Sequence, residues 1–147
     1  MTQAGLQLPL PDLFEQDETA WLEAMSRLIL AGHFEELDFD HLSEYLSDMA
    51  RRDKREVLSR LTTLLAHLLK WEQQPEKRTR SWAATIANQR DELADLLESK
   101  TLLKHAAEAL PKAYGRAVKQ AALETGLAET EFPADCPHAL ETILQAT

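Results

Sequence analysis

Three cations, Lys77, Arg78 and Arg80, crowd the connection between two apolar runs, and Trp71 and Trp82 flank them. Guanidinium groups offer planar forks of donors to phosphate or carboxylate, and indole faces stack on bases. A helix opening near Ser81 would add unpaired amides and the positive end of its dipole. A phosphate or a single-stranded nucleotide is the ligand such a site would take. The same residues have a plainer reading, which carries more weight. Trp71 and Trp82 then anchor a helical hairpin, while the arginines pair with Glu72, Glu76 or the acidic amino-terminal third.

His67, Glu72 and Arg90 form a second candidate cluster. His67 lies on the flank of a leucine-rich stripe, three residues after Leu64 and four before Trp71. Arg90 falls between Ile86 and Leu93 at helical spacing, where the pattern asks for an apolar side chain. A buried guanidinium needs an acid or an aromatic face, so Glu72, Glu76 or the ring of Trp71 is the expected partner. Brought together, His67, Glu72 and Arg90 would make a proton-transfer site. The competing identity of His67 is a core histidine with its hydrogen bond satisfied.

Other chemistries find less support. The histidines are His33, His41, His67, His105 and His138, and no two stand three or four apart. C-x-x-C, H-E-x-x-H and E-x-x-H spacings are absent, so no metal and no cofactor is expected. Cys136, the single cysteine, lies between Asp135 and Pro137; it reads as a small residue filling the start of a last helix rather than as a nucleophile. His33 follows a helix end, where it complements the dipole. There is no glycine-rich phosphate loop and no G-x-S-x-G elbow, and no catalytic motif is recognisable, so enzyme status stays open.

Charge is distributed unevenly. Residues 1–50 hold 11 acids and one base, Arg27, whereas residues 51–104 hold 12 bases and 8 acids, within a net charge of -9. An acidic chain is a poor fit to nucleic acid or to an anionic membrane, because phosphate contacts depend on a basic face. A lone cysteine suits a reducing compartment. No basic residue precedes a short apolar stretch at the start, and no run reaches the length of a membrane span, so a cytoplasmic protein is the expectation.

The elements that must position these residues are helical. Glycine is scarce, with four among 147 residues, and Ala, Leu, Glu, Lys and Arg dominate. An extended arm is expected over 1–16, interrupted by Pro9 and Pro11, with Leu8, Leu10, Leu13 and Phe14 on the body. A single helical domain then fills 17–147. Asp17 caps a first helix from about Glu18, and Gly32 ends it. Asp38 or Asp40 caps the next, with Leu42, Tyr45, Leu46 and Met49 on its apolar face. The stripe lapses through ARRDKRE, which favours a bend with Asp53 capping a fresh helix over a continuous one. Val57 to Leu69 then forms the central helix, Pro75 turns the chain, and Thr79 or Ser81 starts its antiparallel neighbour. A helix from Thr101 should kink or break at Pro111 and stop at Gly126. Pro137 is placed to open a final helix. The sum is an all-α bundle of about five to seven helices around a central antiparallel hairpin.

Four runs carry a family resemblance: HLLKWEQQPEKRTRSWAATIANQR, AGHFEELDFDHLSEYL, AYGRAVKQAALETGL and FPADCPHALETIL. Over roughly residues 12–145 the chain resembles the domain of unknown function catalogued as family 29, bacterial proteins abundant in cyanobacteria. The resemblance implies a helical fold and brings no catalytic residue with it. Two function classes remain. The favoured one is an interaction module whose acidic amino-terminal surface docks a basic protein partner or a second copy. The other is an anion- or nucleic-acid-binding protein or enzyme that uses residues 77–80 and the His67/Arg90 region.

Overall fold

Val57, Leu61, Leu64, Leu65 and Leu69 repeat at the spacing that lines one helix face, and all five are buried. They belong to the longest element of the protein. The structure, a computed structural model, describes residues 8–145; among these it is all-α, with six α-helices and no strand. The helices are α1 (Leu10–Gln16), α2 (Glu18–Ala31), α3 (Phe39–Gln73), α4 (Arg80–Leu96), α5 (Lys100–Thr125) and α6 (Leu140–Leu144). Single 3-10 turns lie at Phe34–Glu36, Pro75–Lys77 and Glu129–Glu131. Packing groups the chain into two compact units, Met1–Ala50 and Arg51–Thr147. The reading of 17–147 as one helical domain did not mark this division.

In the first unit, residues 10–16 are helical rather than extended. Pro11 stands in the first turn of α1, where a missing N–H leaves no helical bond unmade. The remainder of the expected arm, residues 1–7, lies outside the described residues. Asp17 closes α1 and opens α2: its N–H donates to Leu13 O at 2.7 Å, and its carboxylate accepts from the Ala20 N–H at 3.1 Å. Helix α2 ends at Gly32, whose φ of 78° suits glycine. Trp21 and Met25 are its buried side chains, and Phe14 meets Trp21 edge-on at 4.8 Å. Asp38 caps α3, its carbonyl accepting from the Leu42 N–H at 3.0 Å.

Helix α3 passes through Asp53 without a break, which corrects the favoured bend. Residues 50–55 are exposed, so the lapse in the apolar stripe marks a solvated stretch. Arg, Lys and Glu are good helix formers, and no glycine or proline interrupts the hydrogen-bond ladder there.

In the second unit one apolar cluster takes in Val57, Leu61, Leu64 and Leu69 of α3, Ile86 and Leu93 of α4, Ala106, Ala113, Ala117 and Ala121 of α5, and Ile143 of α6. Helices α3 and α4 form the expected antiparallel hairpin: Arg60 reaches Gln89 at 3.2 Å and Glu92 at 3.7 Å, while Lys70 lies over Trp82. Thr79 caps α4 by accepting from the Trp82 N–H at 3.1 Å. Ser99 caps α5 in the same way, and Gly126 ends it with φ 79°. The final helix starts at Leu140 rather than at Pro137. Residues 127–139 instead hold Phe132 in the core and present the Pro133 carbonyl, which accepts from the Tyr114 hydroxyl at 2.6 Å.

Helix α5 also runs through Pro111, where a kink or break is expected from the missing N–H. Pro111 and Ala107, whose carbonyl would have accepted that bond, are both exposed, so water can serve the orphaned oxygen. The helix tolerates the residue at a cost. Proline is about 3 kcal/mol worse than alanine in a helix interior, partly offset by its stiffening of the unfolded chain. Pro111→Ala is therefore expected to stabilise the protein by about 1–2 kcal/mol, read as a higher urea midpoint. A lower midpoint would mean that the ring makes a packing contribution larger than the missing bond.

Candidate functional site

Residues 71–82 are built by two helix ends facing one turn. Helix α3 leaves its last carbonyls without helical partners. Arg78 answers one of them: its Nε donates to Trp71 O at 2.9 Å, and its guanidinium lies 4.7 Å from the centroid of the Trp71 ring. Trp82 receives a different cation, the Lys70 ammonium, 5.0 Å from its centroid. Both indole faces are thus met by the chain's own cations. Arg78 pairs with a carbonyl and a ring, in place of the acids Glu72 or Glu76 expected for it. Lys77 and Arg80 are exposed and make no ion pair among the described residues.

Lys70 is the residue that sequence reasoning missed here. It is 6% exposed, and its Nζ donates to Glu124 Oε1 at 2.6 Å. That hydrogen bond holds the Glu124 carboxyl below the usual carboxylate range, against the opposing effect of burial. Lys70 stands one helical turn after buried Ala66, and its hydrocarbon stem lets it lie on the apolar face without breaking the stripe.

The second cluster is reshuffled. His67 is half-buried, and its Nδ1 donates to Thr63 O one turn back at 2.9 Å, which fixes the proton on that nitrogen because a carbonyl only accepts. It does not join Glu72 and Arg90. Those two line one concavity of about 490 Å³ between α3, α4 and α6, with His138 and Asp91. Glu72 Oε1 meets His138 Nε2 at 3.2 Å, so His138 takes the place expected for His67. No local pattern links them, since 66 residues separate the pair.

Among the described residues Arg90 has neither an acid nor the Trp71 ring as partner. Its Nε donates to Ile143 O at 2.9 Å, satisfying a carbonyl near the end of α6. Partial burial pulls its guanidinium below the ordinary arginine value. Leu68, Ile86 and Ile143 supply the apolar wall beside it. Cys136 is half-buried and its thiol lies 3.4 Å from His138 O, a donor to backbone on the loop that carries the histidine. Burial raises the Tyr114 hydroxyl above its ordinary value, and Cys136, Glu72 and Asp135 add to the effect.

A separate titratable cluster lies in the first unit. The Asp38 carboxylate, 6% exposed, accepts from Trp21 Nε1 at 3.2 Å and meets His41 Nδ1 at 2.7 Å. Glu15 approaches His41 Nε2 at 3.6 Å, and Phe14 stacks on the imidazole at 4.2 Å. The Asp38 hydrogen bond raises the His41 pKa above 6.5, with smaller contributions from the charges of Asp38, Glu44 and Glu15 and a partial offset from desolvation.

Two outcomes follow from these contacts. Arg90→Met removes a charged donor from a backbone carbonyl and is expected to cost about 1.5–3 kcal/mol by chemical denaturation; an unchanged midpoint would show that the Ile143 bond contributes nothing. For His41, a raised folded pKa means that its stabilising contribution is complete below 6.5 and is lost as pH rises through the folded value. An imidazole proton titration by NMR should give a midpoint above 6.5 that falls back toward it in Asp38→Asn. A midpoint at or below 6.5 in the unaltered protein would contradict the geometry.

No curated protein and no solved structure matches the chain. A family model does, over residues 13–147, and its description is domain of unknown function DUF29. With the match spanning nearly the whole sequence and both packing units of this all-α fold, the protein belongs to the DUF29 family.

Proposed function

We propose that this protein is a helical interaction module of the bacterial cytoplasm whose first unit docks a basic protein partner. The observation that carries the reading is the shortfall of core in that unit. Among its described residues only Trp21 and Met25 are buried hydrophobics, while Ile29, Leu30, Phe34, Phe39 and Leu46 are exposed, Leu30 at 85%. Scattered surface hydrophobics are ordinary, but a unit that exposes more large apolar side chains than it buries has surface to give to a partner. The charge supports the choice of partner. Eleven acids and one base in residues 1–50 favour a surface with apolar anchors among lysines and arginines, and disfavour nucleic acid. Among the described residues no helix is long and apolar enough to cross a membrane.

The test is Leu30→Asp combined with Phe34→Asp. Partners captured with the full chain would be identified, purified and titrated against the unaltered protein and the double variant, with light scattering run in parallel. Burying one such side chain is worth about 1.5–3 kcal/mol, so the double variant should bind at least roughly tenfold more weakly, and both affinities should fall with salt. Equal affinity in the two proteins would overturn the proposal. A concentration-dependent dimer abolished by the double variant would replace the basic partner with a second copy of the chain.

A further inference from the structure

We propose that the concavity between α3, α4 and α6 binds a small monocarboxylate with an apolar body, its acid end held by Arg90. The inference is independent of the docking surface, which belongs to the other unit. A volume of about 490 Å³ falls in the range of small-molecule sites. Half-buried Leu68 and Trp71 and exposed Ala83 and Ala87 line it, with Ile86 and Ile143 buried beneath them as its floor, so the wall against which a ligand would lie is apolar.

Arg90 gives the site its polarity. The bond from Nε to Ile143 O uses one edge of the guanidinium and fixes its plane. The two Nη groups have no acceptor among the described residues, and no buried side-chain nitrogen is left without a partner, so these donors are reached by solvent. A half-buried cation with an anchored plane and a pair of open donors is the counterpart of a planar, bidentate acceptor. Binding such an anion would return the favourable interaction that partial burial has taken from the guanidinium.

The surrounding charges select among anions. Glu72 is engaged with His138 at 3.2 Å, and exposed Asp91 stands on the same rim. A phosphate, with its larger charge, meets repulsion from both carboxylates. A single carboxylate turned toward Arg90 keeps its one charge next to the one cation and lays its hydrocarbon on Leu68, Trp71 and Ala83. Free carboxylic acids and apolar amino acids share this chemistry; an amino acid would add an ammonium group within the field of Asp91.

The experiment is isothermal titration of the full-length protein with hexanoate, leucine, hexanol, hexylamine and inorganic phosphate. Hexanoate or leucine should saturate, with millimolar affinity or better, while hexanol, hexylamine and phosphate bind at least roughly tenfold more weakly. Tighter leucine than hexanoate assigns the site to amino acids; the reverse order assigns it to free acids. Arg90→Gln should lose the preference for carboxylate over alcohol. Because Arg90 also holds α6, a second variant is needed: Ala87→Phe places a ring in the concavity from an exposed position of α4 and should abolish binding with Arg90 intact. Absence of saturable binding by either acid, equal binding of hexanol and hexanoate, or undiminished binding by Ala87→Phe would each overturn the assignment.

Discussion

The apolar face of α3 from Val57 to Leu69 is the constraint on which the second unit depends. Its side chains share one cluster with α4, α5 and α6, so each of those helices is fixed by what it presents to this face. The face ends at Lys70 and Trp71, and the turn that follows is tied back onto it. Arg78 satisfies the Trp71 carbonyl and covers its ring, Thr79 caps the next helix, and Lys70 lies under Trp82. A turn closed by its own cations and caps needs little apolar burial. That explains how exposed residues 75–81 can still hold α3 and α4 in register.

Much of this was legible because the signals are local. Asp17, Gly32, Thr79 and Gly126 mark helix ends through hydrogen bonds or backbone angles that the residue itself supplies. The α3 stripe was legible because its period is the period of the helix. Three local signals misled. The polar run at 50–55 was read as a bend, yet an apolar stripe reports which residues are covered and says nothing about whether the backbone ladder continues. Pro111 removes one bond from a helix of 26 residues, and the remaining bonds carry the chain past it on an exposed face. Pro137 has the angle a first helical turn requires, but the start of α6 is set by burial of Leu140 and Ile143.

The candidate site was legible in half. Arg90 was visible as a charge breaking an apolar period, and Glu72 as an acid near the turn. Their neighbours His138 and Ile143 come from the far end of the chain, and only tertiary packing brings them together. His67 drew notice as a histidine among leucines, but a backbone carbonyl of its own helix takes its proton. The helical period that singled out Arg90 gave no comparable warning of Lys70, because lysine can carry its ammonium past an apolar surface on a hydrocarbon stem.

Lys70 and Arg90 are cations set against apolar side chains of this unit, and they differ in what meets their charge. The Lys70 charge has everything it needs within the chain: the Glu124 carboxylate at 2.6 Å and the face of Trp82. Its surroundings are complete, and a further anion would add nothing. Arg90 has one neutral carbonyl and no acid within ion-pair reach among the described residues, although Glu72 and Asp91 line the same concavity. Glu72 turns instead to His138. The Ile143 bond accounts for one edge of the guanidinium only, and the Nη donors on its other side stay open at the concavity. The arrangement makes sense if the missing counter-charge arrives from outside.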